Sequence, residues 1–151
     1  MAQEVAIAVL RHPDRFTLIP LSLTGAEITA ENHPVDGHLI QLVRPSQRIT
    51  LDDLFPEWQS AIAVDFTVPT AVKENVEFYC RSNQSFVLGT TGGDYSQVRS
   101  VVESSGIVAV AAPNMSAPIL LIQAALEHLA QRFSGALSGW KASIVESHQA
   151  G

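Results

Sequence analysis

Apolar positions in the middle of the chain follow two alternating spacings. Residues 61–66, 86–88 and 107–111 are short, nearly continuous apolar runs of strand length. Between the first two, Val72, Val76, Tyr79 and Cys80 repeat at helical spacing. Between the second and third, Asp94 stands where it can cap a helix, with Gln97 placed to complete a capping box. Strands returning about every twenty-two residues, each pair joined by a helix, predict βαβ units and a parallel sheet. Runs without polar alternation predict a sheet covered on both faces.

The flanks are less regular. Residues 1–11 have helical spacing, with Met1, Val5 and Val9 on one side and Ala2, Ala6 and Leu10 beside them. His12-Pro13-Asp14 stops that helix, because a residue before proline disfavours helical backbone. Residues 16–23 form a β-prone run ending at Thr24-Gly25. Residues 26–37 are polar and carry Pro34 and Gly37, which predicts a loop. Residues 38–43 read as a short strand, and Thr50 as the cap of a short helix over 51–57. After the turn Pro113-Asn114-Met115-Ser116, Ser116 is placed to cap a long helix with Ile119, Ile122, Leu126, Leu129 and Phe133 as its apolar positions. Ser134-Gly135 ends it, and residues 140–148 read as another strand.

Composition narrows the class. A chain of 151 residues, 46% of them hydrophobic, can bury a core without disulfides. A formal net charge of -6 without runs of like charge argues against a nucleic-acid surface. No apolar run is long enough to span a bilayer. One cysteine, Cys80, excludes a disulfide framework and a cysteine-rich zinc site, and it reads as core. The composition fits a reducing cytoplasm. His12, His33, His38 and His128 lack partners at metal-ligand spacing, so no metal is expected. Trp58 and Trp140 read as packing residues.

In a parallel α/β sheet, ligands bind beyond the carboxyl ends of the strands. Those ends are Phe66-Thr67, Gly89-Thr90-Thr91-Gly92-Gly93 and Ala112-Pro113-Asn114. The glycine-rich segment fits two readings: a ligand loop whose N–H groups face a bound group, or a plain turn. Asp65 reads equally as a buried structural acid or a ligand contact. His148, beside Glu146 and Ser147, suits a general acid or cation, and also a hydrogen-bonded structural histidine. The dinucleotide fingerprint, a phosphate-binding P-loop, a nucleophile elbow and a paired-carboxylate constellation are all missing from the sequence.

Four segments together resemble one family. They are Val64-Asp65-Phe66-Thr67-Val68-Pro69, Val87-Leu88-Gly89-Thr90-Thr91-Gly92-Gly93, Ala112-Pro113-Asn114-Met115-Ser116 and Val145-Glu146-Ser147-His148-Gln149. In order and spacing they are similar to dihydrodipicolinate reductases of lysine and diaminopimelate biosynthesis, plant-type branch. The resemblance implies a Rossmann-like nucleotide-binding domain over 1–114. It implies the opening of an α+β substrate and oligomerisation domain over 115–151. It implies NADPH or NADH as cofactor, with Gly89, Thr90 and Thr91 meeting the nicotinamide and Phe66 and Thr67 close by. Ala112, Asn114 and Met115 would form the hinge turn that also contacts it. Thr24 would lie near the adenosine ribose or its phosphate; an acid usual there in many bacterial members is absent, which leaves the cofactor preference open. His148 would be the acid, or a substrate-binding cation, for a small cyclic dicarboxylate. The family pattern begins with a strand and a Gly-x-x-Gly-x-Met-Gly turn ahead of the position of Met1. It continues past Gly151 with Lys-x-Asp-x-Ser-Gly-Thr-Ala. The resemblance therefore implies a parallel sheet lacking its first strand and a substrate site cut short. It also implies a homo-oligomer for the intact protein, in the cytoplasm or, in a plant, the plastid. A non-catalytic nucleotide-binding module and another nicotinamide-dependent two-domain dehydrogenase are the alternative readings.

Overall fold

The protein's structure, a computed structural model, describes residues 1–51, 56–141, 143 and 145. Helix α1 (Ala2–Leu10) is followed by strands β1 (Leu21–Leu23), β2 (Asn32–Val35) and β3 (His38–Val43). Strand β4 (Ala63–Asp65), helix α2 (Val72–Arg81), strand β5 (Phe86–Leu88), helix α3 (Tyr95–Ser105) and strand β6 (Ala109–Ala111) come next, and helix α4 (Ala117–Arg132) last. The chain divides into two compact units, Met1–Pro113 and Asn114–Gly151.

In the first unit, β4, β5 and β6 form the parallel sheet that the apolar runs predict, in that order. Ala63 pairs with Phe86, and Phe86 with Ala109. Helices α2 and α3 lie side by side, and Val72, Val76 and Tyr79 of α2 with Val98 of α3 share one buried cluster with Phe86 and Leu88. Burying side chains of this size stabilises the fold by about 2 kcal/mol each. The other face differs from expectation. Val64 and Val110, which flank Val87 in the register, are 41% and 54% exposed. Helices α2 and α3 cover the sheet on the Phe86–Leu88 side, and the valine row faces outward. A continuous apolar run fits either arrangement, because period alone does not report what lies against each face.

The remaining three strands make a second sheet, ordered β1-β3-β2. Strand β3 is parallel to β1 and antiparallel to β2. The polar stretch expected as a loop therefore contains an edge strand and a hairpin. Asp36 and Gly37 both have positive φ, 47° and 81°, the geometry of the tight turn favoured by Asp-Gly. Pro34, which lacks an N–H, is tolerated because β2 lies at the sheet edge. Leu23 and Phe78 pack against the buried clusters of both sheets, and Trp58 stacks on Phe78 with ring centroids 5.5 Å apart.

Helix ends follow local chemistry with two corrections. Asp94 Oδ1 accepts from the N–H groups of Ser96 and Gln97, both at 3.1 Å, and Gly106 closes α3 with φ 75°. Thr50, by contrast, is itself the last residue of a 3-10 helix over Pro45–Thr50, which starts after Arg44. Its proline fits the first turn, where no N–H is required. Most of the helix expected over 51–57 lies outside the described residues. At the start of α4, Ser116 holds the cap position but its hydroxyl makes no cap bond; Asn114 Oδ1 accepts from Ser116 N–H at 2.8 Å instead. The strand expected over 140–148 falls largely outside the described residues.

Candidate functional site

The carboxyl ends of β4 and β5 are tied together by hydrogen bonds that start from a buried acid. Asp65, 2% exposed, ends β4. Its Oδ1 accepts from the N–H of Thr67 at 2.9 Å and from the Thr67 hydroxyl at 2.7 Å. Its Oδ2 accepts from Asn75 Nδ2 at 2.9 Å and from the Tyr79 hydroxyl at 3.1 Å. Asn75 and Tyr79 are four positions apart on α2, so one helix face supplies both donors. Burial raises the Tyr79 pKa well above the ordinary tyrosine value, and the neighbouring Asp65 charge and hydrogen bond push it further up. The phenol therefore stays protonated and remains a donor. Asp65 is thus the buried, fully engaged acid of the two readings the sequence allowed.

The turn fixed by Asp65 fixes the next loop in its turn. The Thr67 carbonyl accepts from the Thr90 hydroxyl at 3.0 Å, and the Thr90 carbonyl accepts from the Tyr95 hydroxyl at 2.6 Å. The Gly89 N–H donates to the Asp65 carbonyl at 2.9 Å, and the Ala112 N–H to the Leu88 carbonyl at 3.1 Å, so the ladder runs on past the strands. The Phe66 ring lies against Gly89, where its Cε1 edge occupies the place a Cβ would take. A Cβ built on Gly93 would sit 3.1 Å from Val72 Cγ1, a tighter fit than an ordinary contact.

These contacts bring together Phe66, Thr67, Gly89 and Thr90, with Ala112 one strand away. Thr90 is buried and its hydroxyl is taken, whereas Thr91 and Gly92 are exposed at the crest of the loop. Among the described residues, no backbone hydrogen bond uses the N–H groups of Thr91 and Gly92. Gly92 has φ 85°, a backbone conformation that favours glycine. An exposed pair of such donors beyond a parallel strand suits a carboxamide oxygen or an anionic group.

The other predicted residues stand apart. Thr24 follows β1 in the second sheet; its N–H donates to the Val43 carbonyl at 2.9 Å. Its hydroxyl oxygen is shielded from solvent and has no partner among the described residues. Asn114 and Met115 begin the second unit, where the Asn114 side chain is occupied by the Ser116 N–H and Met115 is exposed. His148 lies outside the described residues. Among those described, no group of histidine, cysteine, aspartate and glutamate side chains is arranged to hold a metal. Among the described residues, no helix is long and apolar enough to cross a membrane. Sequence reasoning missed Asn75, Tyr79 and Tyr95 as parts of the site. The spacing of Asn75 and Tyr79 on one helix face was the available signal, since a polar residue inside an apolar stripe needs a buried partner.

A parallel β4-β5-β6 sheet with helices α2 and α3 packed on it defines an α/β protein of the Rossmann-like class. The chain belongs to the dihydrodipicolinate reductase family, whose N-terminal region matches residues 19–115. Among curated proteins, it is 37% identical over 134 residues to 4-hydroxy-tetrahydrodipicolinate reductase 1, chloroplastic, of Arabidopsis thaliana. That match covers 88% of this chain and 39% of the relative. A probable 4-hydroxy-tetrahydrodipicolinate reductase 1, chloroplastic, of Oryza sativa subsp. japonica is 36% identical over the same length and shares. The 4-hydroxy-tetrahydrodipicolinate reductase of Methanothermobacter thermautotrophicus is 34% identical over 101 residues, covering 65% of this chain and 36% of the relative. The chain thus spans about two fifths of the length of the plant relatives it matches.

Proposed function

We propose that this chain supplies the nicotinamide-binding part of a 4-hydroxy-tetrahydrodipicolinate reductase. The observation that carries the reading is the paired strand-end loops, Phe66-Thr67 and Gly89–Gly93, locked to each other by the Thr90–Thr67 bond. They stand where a parallel sheet presents its ligand edge. The residues fit a reduced nicotinamide. Thr91 and Gly92 offer free N–H groups to its carboxamide, and Thr67 and Gly89 shape the approach. Ala112, Asn114 and Met115 are assigned to the nicotinamide as well, on the family resemblance of their turn. Thr24 lies toward the adenosine ribose; with its hydroxyl shielded, contact there falls to the adjacent backbone. NADPH and NADH both stay within this assignment, and the Glu27 carboxylate, which lies against Gly25 next to Thr24, is the charged group nearest to that choice.

When bound, the cofactor supplies a hydride to an unsaturated carbon of a small cyclic dicarboxylate. The chain's own contribution is to hold the ring in place and to keep the loops from moving during transfer, a demand met by positioning rather than by acid–base groups. A proton from solvent or from His148 completes the reduction, and a cationic His148 also attracts a substrate carboxylate. Residues 1–114 are assigned to nucleotide binding and 115–151 to the opening of the substrate domain. The intact protein is assigned as a homo-oligomer of the cytoplasm or, in a plant, the plastid.

Titration with NADPH and with NADH, followed through the backbone amide signals, tests this. The reading predicts saturable shifts at Thr67, Gly89, Thr91 and Gly92. Shifts confined to other parts of the chain, or none at millimolar cofactor, contradict it.

A further inference from the structure

We infer that Arg48, on the 3-10 helix that follows β3, is a positioning residue for the nicotinamide loop. The inference rests on the reading above for its functional meaning, and on geometry for the coupling itself. Arg48 belongs to the 3-10 helix after β3, and its side chain is 9% exposed. One guanidinium nitrogen donates to Asn75 Oδ1 at 2.9 Å. The guanidinium carbon lies 5.0 Å from the centre of the Phe78 ring, so the group is held on a second side. Its contact with Glu74, at 3.8 Å, is to a side chain 64% exposed and holds little.

Asn75 is the middle of the relay. An amide has an accepting oxygen and a nitrogen with two N–H donors, and both ends are used here. The oxygen takes the Arg48 hydrogen bond, which orients the Nδ2 group toward Asp65 Oδ2 at 2.9 Å and Thr67 Oγ1 at 3.3 Å. A cation and a buried acid are thus joined through a neutral amide without touching. From Asp65 the order passes to the Thr67 turn, from the Thr67 carbonyl to Thr90, and from Thr90 to Tyr95. Removing the guanidinium frees Asn75 to rotate, and an inverted amide would present its oxygen to the Asp65 carboxylate. Hydrogen-bonded chains in buried settings transmit such a change more strongly than exposed ones.

The test uses the full chain with Arg48→Met, which keeps a stem over Phe78 and removes the charge and the donors. Amide hydrogen exchange is read at Thr67 and, as a core reference, at Phe86. Affinity for NADPH and NADH is read in parallel. The expected result is exchange at Thr67 accelerated about tenfold relative to Phe86 and cofactor affinity weakened about tenfold. A merely structural role would loosen both amides together. Unchanged exchange at Thr67 with a folded variant overturns the inference, and so does equal acceleration at both sites. Should Arg48→Met fail to fold, Arg48→Lys keeps a cation but loses the planar fork. A smaller acceleration confined to Thr67 then supports the relay, and none overturns it. If the unaltered chain binds neither cofactor, the functional reading fails, and the exchange rates still decide the relay.

Discussion

Gly89 has no room for a methyl group, because the Phe66 ring occupies the place a Cβ would take. Gly89→Ala should therefore cost about 2 kcal/mol and weaken cofactor binding, since the ring must swing out of the strand-end loops. Shortening the ring with Phe66→Leu should recover part of that loss, so the double variant is less destabilised than the two singles added together. Denaturant unfolding of the three variants checks this. The same scale governs Asp65, whose carboxylate accepts four hydrogen bonds from Thr67, Asn75 and Tyr79. Tyr79→Phe removes one donor and should cost about 1 kcal/mol, whereas Asp65→Ala strands every donor and should cost about 3 kcal/mol. Equal effects for the two would show that Asp65 is not the centre of the network.

Among the elements, Asp94 offers a pH signature. Hydrogen bonds from the Ser96 side chain and the Gln97 backbone hold its carboxyl below the ordinary aspartate value. A depressed folded pKa means that the cap's contribution is complete above the ordinary aspartate value. It is lost as pH falls through that value and on through the folded one. The melting temperature gap between the native chain and Asp94→Ala should be widest near neutral pH and close in acid; a gap independent of pH would contradict the capping role. Gly37→Ala, at φ 81°, should cost about 1 kcal/mol or more through the β2–β3 hairpin. This hairpin shows where the sequence was hard to read. Residues 32–35 carry two polar residues and a proline, and their pairing becomes sensible only once β3 lies beside them. The β4-β5-β6 sheet was legible because each strand is an apolar run spaced by a helix. Its strand-end loops were legible too, from the glycines and from Phe66-Thr67. The Arg48–Asn75–Asp65 relay was not, since its members are 27 and 10 positions apart and meet only through tertiary packing.

Across the whole molecule, apolar surface is distributed unevenly. Val64 and Val110 of the parallel sheet are exposed, and in the second unit Leu121, Leu126, Leu129 and Phe133 of α4 and its end are each more than half exposed. Apolar faces of this kind on a folded domain mark contact surfaces. The isolated chain should bind a hydrophobic dye and sediment with a concentration-dependent mass, and Leu126→Asp with Phe133→Asp should reduce both effects. A monomer at all concentrations that binds no dye would show these faces to be covered. Family membership rests on residues 19–115, the stretch that contains both sheets and the strand-end loops. The central claim is that those loops receive a reduced nicotinamide. The most direct measurement is amide mapping of the chain titrated with NADPH and NADH, beside the same titration with the adenosine half alone. The account predicts that the whole cofactor perturbs Thr67, Gly89, Thr91 and Gly92 and that the adenosine half leaves them unmoved. Perturbation of those amides by the adenosine half, or by neither ligand, would contradict it.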